Sequence, residues 1–76
     1  MNKQRRKAID EIRAQIEMLS NDLEALKEEE EEYRDNMPEN MQNSERYEMA
    51  EEAISNLEDA IDNLMDALDC MQEAMN

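Results

Sequence analysis

Seven carboxylates in the second half of this chain, Glu48, Glu52, Asp59, Asp62, Asp66, Asp69 and Glu73, follow spacings of three and four residues, with Ser55 filling the single gap. On a helix that spacing lines them along one face, about 5 Å apart on average. No basic residue appears after Arg46, so the stripe lacks the lysines one turn away that ordinary solvated helices carry. The chemistry on offer is electrostatic. A rigid row of negative charge imitates the phosphates of a nucleic-acid strand and suits a basic groove on a DNA- or RNA-binding protein. The run Glu28–Glu32 adds a second dense acidic patch. A surface kept acidic for solubility alone has the same pattern, and both readings stand at this stage.

Catalysis finds little to work with. The chain has no histidine and no glycine, and its one thiol, Cys70, has no base beside it in the sequence to activate it. A calcium loop needs glycine and oxygen ligands alternating in a loop, whereas these aspartates fall on a continuous helix. We therefore expect no enzyme, no cofactor, no metal and no small-molecule ligand. The formal charge is −14, from 22 acidic and 8 basic side chains. Such a chain is repelled by nucleic acid and by anionic membranes, which leaves the basic surface of a protein as the expected partner. One cysteine excludes an intrachain disulfide, and no apolar run has the length of a signal core or a membrane span. A cytoplasmic location is the expectation.

The elements that must position the stripe are legible from apolar spacing. Ile9, Ile12, Ile16, Leu19, Leu23, Leu26 and Tyr33 form one heptad stripe, with Ile9, Ile16 and Leu23 at a and Ile12, Leu19, Leu26 and Tyr33 at d. Glu30 is its one polar exception. Tyr47, Ala50, Ile54, Leu57, Ile61, Leu64, Leu68, Met71 and Met75 form a second stripe. Between them lies the segment around Pro38, which cannot continue a helix but suits the start of one. The expected fold is all-α: a single domain, residues 1–76, forming a long antiparallel helical hairpin of the coiled-coil type. Helix 1 covers about 2–35, the loop about 36–40 and helix 2 about 41–75, with Asn43 or Ser44 as a second candidate cap.

Pairing positions whose numbers share a constant sum makes apolar layers. Tyr33 meets Tyr47, Leu26 meets Ile54, Leu23 meets Leu57 and Leu19 meets Ile61, and the series continues to Ile9 and Met71. Glu30 would face Ala50 and reach water. The two tyrosines would stack to close the loop end. Arg6, Arg13, Lys27 and Arg34 occupy the e flank, opposite Glu51 and Glu58 on helix 2, while Lys3, Arg5, Arg6 and Lys7 would neutralise the acidic end around Asp66 to Glu73.

Ala53, Ala60, Ala67 and Ala74 form an unbroken g column that widens the apolar arc of helix 2 beyond what one partner helix needs. We expect a third helix there: a homodimer forming a four-helix bundle, or a helix of a target protein. Alanine's helix propensity alone also accounts for the column. Of the eight methionines, Met18, Met49 and Met65 lie off the stripes and are interface candidates.

The segment PENMQNSERYEMAEEAISNLEDAIDNLMDAL, Pro38 to Leu68, resembles small uncharacterised helical-hairpin proteins of phages and mobile elements of gut Firmicutes. The resemblance implies a setting in which small acidic proteins inhibit host nucleic-acid-binding machinery, defence nucleases included. The expected function is a non-enzymatic, protein–protein interaction module of DNA-mimic type, an inhibitor acting through its acidic face. The alternative is a structural adaptor whose apolar seam mediates assembly.

Overall fold

A computed structural model describes all 76 residues. Two helices, α1 (Lys3–Asp35) and α2 (Glu45–Met75), fold back on each other as a rod of 59 × 15 × 12 Å. Both ends that must start a helix carry a side-chain cap. Asn2 Oδ1 accepts a hydrogen bond from the Arg5 N–H at 2.8 Å, and Ser44 Oγ accepts one from the Tyr47 N–H at 3.3 Å. Each cap satisfies a backbone donor that the first helical turn leaves free.

The connection is longer than the sequence reading expects. α2 begins at Glu45 rather than near residue 41, and Ser44, the second candidate, is its cap. Pro38, at φ −58° and ψ 152°, opens a 3-10 turn over Glu39–Met41. The Met41 N–H donates to the Pro38 carbonyl at 2.8 Å, and the Ser44 N–H donates to the Met41 carbonyl at 2.9 Å. No residue has positive φ. Without glycine, the reversal is built from tight right-handed turns, and these consume the extra residues. Met37, in the connection itself, is buried.

The interior is thin. Six residues are buried, Ser20, Met37, Ala50, Ile54, Ile61 and Met75, and no large side chain is fully enclosed. α2 meets the expectation: every position of its apolar stripe is buried or half-buried. α1 does not. The side chains it sinks are mainly Ile9, Arg13, Ile16, Ser20, Leu23, Lys27, Glu30 and Arg34, its a and e columns, with Glu24 and Glu31 half-buried beside Lys27. The d column stands outward, with Ile12 48 %, Leu19 58 %, Leu26 54 % and Tyr33 49 % exposed.

The constant-sum layers therefore fail for their α1 d members, and Tyr33 does not close the core. At 100° per residue the a/e face lies about 50° around the helix from the a/d face. The turn has a polar cost: the Ser20 hydroxyl and the Arg13 Nε are buried without a hydrogen-bond partner.

Candidate functional site

All seven carboxylates of the stripe, Glu48, Glu52, Asp59, Asp62, Asp66, Asp69 and Glu73, are exposed. They run along the side of α2 turned away from the buried stripe, over about 37 Å of helix. None takes part in an ion pair within 4.0 Å. Three of the eight basic residues are engaged elsewhere. Arg13 pairs with Asp10 at 3.7 Å and Arg34 with Asp35 at 3.0 Å, both within α1. Lys27 Nζ lies 3.3 Å from Glu24, 3.4 Å from Glu31 and 3.8 Å from Glu58 on α2.

Two groups respond visibly to this charge. A hydrogen bond to Glu24, reinforced by the charges of Glu24 and Glu31 and opposed by partial desolvation, raises the Lys27 pKa above its ordinary 10.5. Arg34 is raised in the same way, chiefly by its hydrogen bond to Asp35. The expected flank pairing is thus realised once, by Lys27 and Glu58. Lys3, Arg5, Arg6 and Lys7 make no ion pair within 4.0 Å with the carboxylates at the end of α2. Their charge is uncommitted.

The ridge continues where helix electrostatics oppose it. The last turn of α2 has no basic residue, although the partial negative charge of a helix C-terminus favours cations and disfavours Glu73. No group of three acidic or thiol side chains converges as a metal site, and no helix is long and apolar enough to cross a membrane. Cys70 is exposed and free.

The hairpin has two unlike edges. Lys27 meets Glu58 on one, and Ser20 shares a shallow groove with Met65 there. On the other, Tyr33 of α1 lines a groove with Met49, Ala50 and Ala53 of α2. Glu30 and Arg46 also line it, which places Glu30 beside Ala50 as expected. The outward d column of α1 and the alanine column of α2 therefore share a face. Ala53, Ala60 and Ala67 are half-buried on it, and Ala74 is exposed at its end.

Sequence reasoning singled out the alanines but assigned Ile12, Leu19, Leu26 and Tyr33 to the core. The polar character of Arg13, Ser20, Lys27 and Arg34 hid the fact that this column faces α2. Compared with known proteins, the chain matches no family model, no curated protein and no solved structure.

Proposed function

We propose that this protein is a non-enzymatic interaction module whose acidic ridge occupies a basic, nucleic-acid-binding surface of another protein. One observation carries the reading: seven carboxylates lie on a single helix face, all exposed and none paired with a cation. A stripe that served solubility alone has no need to be single-signed, because mixed charges solubilise without self-repulsion. Nor has it reason to extend into the C-terminal turn, where acid destabilises the helix. In the DNA-mimic reading the ridge stands in for phosphates, and the partner contributes the lysines and arginines that the ridge lacks.

The test is affinity capture with the whole chain as bait, comparing wild type with a variant carrying Asp59, Asp62, Asp66 and Asp69 changed to Asn. The reading expects basic nucleic-acid-binding proteins to be retained at low salt, released at about 0.5 M salt, where screening is strong, and absent with the variant. Retention that survives both salt and the four changes contradicts it.

The open apolar face favours a second reading, an adaptor that holds its partner through Leu19, Leu26 and the alanine column. Changing Ala60 and Ala67 to Glu then abolishes capture, while the acidic changes do nothing.

A further inference from the structure

The rotation of α1 looks like a fault in a two-helix hairpin: it turns Arg13, Ser20, Lys27 and Arg34 inward and leaves Ile12, Leu19, Leu26 and Tyr33 outside. It is the arrangement a four-helix bundle needs. In a square bundle each helix aims its apolar arc at the common axis, diagonally between its two neighbours, and so about 45° away from either one. The a/d stripe of α1 lies about 50° from the face it turns to α2. On α2 the g column extends the arc towards the same open face, where Tyr33 meets Met49 and Ala53. The α1 stripe thus points to an axis outside this hairpin, and the α2 alanine column borders the face it opens.

We infer that a second copy of this chain covers the open face, with its loop at the opposite end, so that α1 packs antiparallel on α1 and α2 on α2. This goes beyond the acidic-ridge reading and does not depend on it.

Two observations select the occupant, and a third the direction. The first is area. A globular monomer of 9.0 kDa exposes about 4,900 Å² by the usual scaling, whereas this chain exposes 5942 Å². The excess, roughly 1,000 Å², matches the about 800 Å² that each partner commits to a stable interface.

The second is charge on the flank of α2. Beside the alanines the column nearest the open face reads Met49, Asn56, Asn63 and Cys70. Those eight positions hold no charge, on a helix that is otherwise acidic at nearly every turn. A like helix approaches there without repulsion. A foreign basic partner would find nothing to pair with.

The third concerns α1, whose charge is divided along its length. Lys3, Arg5, Arg6 and Lys7 lie at one end, without ion pairs, and Glu28–Glu32 and Asp35 at the other. Antiparallel packing of α1 on α1 sets each basic end over the acidic loop end of the second copy. Loops at the same end would instead bring the two acidic ends together. In the chosen arrangement the two exposed Asp22 carboxylates approach each other near the two-fold axis, where salt screens them. Both ridges remain outward.

Sedimentation equilibrium and thermal melting of the full chain test this. The proposal expects twice the 9.0 kDa chain mass, a melting temperature that rises with protein concentration, and at least a tenfold weaker dimer for Leu19→Glu or the milder Leu26→Ser. Spin labels on Cys70 should lie roughly 25 Å or more apart, since antiparallel α2 helices carry the two sites to opposite sides of the axis. A monomer at 0.1 mM (about the top of the useful range for a specific dimer), or a melting temperature independent of concentration, overturns the proposal. So does a dimer indifferent to both substitutions. Labels within about 20 Å overturn the orientation. Because the concentration series uses wild type, a variant that fails to fold does not remove the test.

Discussion

The Lys27 ammonium lies 3.8 Å from the Glu58 carboxylate and forms the one ion pair that joins the two helices. Glu24 and Glu31 flank the same ammonium, whose side chain is 16 % exposed. The lysine is a single positive point among three carboxylates on the edge of the hairpin opposite the open face.

Reversing that charge should be felt more than removing one partner. Lys27→Glu places a fourth carboxylate in the cluster and should lower the melting temperature by several degrees at low salt. Glu58→Gln leaves two pairs intact and should lower it less. Added salt should shrink the first effect, because repulsion between exposed charges is screened. Circular-dichroism melts at two ionic strengths read both. An equal loss for the two variants contradicts the placement of Lys27.

The Lys27 pair also sets an alkaline limit. Its pKa is raised in the folded chain above the ordinary 10.5. A raised cation contributes stability that is complete below the ordinary value and lost as pH climbs through the folded one. Wild type should therefore lose stability above pH 10.5 through this group. Lys27→Arg, which stays charged there, should lose less over the same range. Melts from pH 9 to 12 (roughly the span that brackets lysine titration) give the comparison.

Much of this architecture was legible before the structure. Alternating threes and fours from Ile9 to Leu26 and from Tyr47 to Met75 specify two amphipathic helices, and Pro38 marks the break. Ser44, followed by Glu45 and Glu48, marks a helix start. The rotation of α1 was not legible. A heptad says which side chains belong inside something; it does not say which neighbour they face. Ile12, Leu19, Leu26 and Tyr33 match the α2 stripe as well as Ile9, Ile16 and Leu23 do, so the apolar pattern is satisfied by either column. The one clue lay in Ser20, a small residue in the e column at a place where a close helix can be accommodated. The ridge itself was fully legible, because exposed positions need only the helical period.

Core and cap substitutions calibrate the hairpin. Ile54 and Ile61 are among the few buried side chains. Ile61→Val should cost about 0.5–1.5 kcal/mol and Ile54→Ala about 2–5 kcal/mol in urea unfolding. Ser44→Ala removes the acceptor for the Tyr47 N–H and should cost about 1 kcal/mol. A negligible Ser44 effect would place the start of α2 elsewhere.

The C-terminal end of the ridge should be suboptimal for stability. Glu73 lies in the last turn of α2, where no cation is present. Glu73→Gln should stabilise the helix by about 0.3–1 kcal/mol at low salt, and by less as salt is added. A loss of stability would mean that Glu73 has a favourable partner the hairpin does not contain.

The central claim is that the α2 carboxylates bind a basic surface, and the salt dependence of one affinity tests it most directly. For a basic protein captured at low salt, the dissociation constant is measured across a salt series with wild type and with Asp59, Asp62, Asp66 and Asp69 changed to Asn. The account predicts affinity falling steeply with salt for wild type, and a weaker affinity with a shallower slope for the variant. Equal affinities with equal slopes would contradict it.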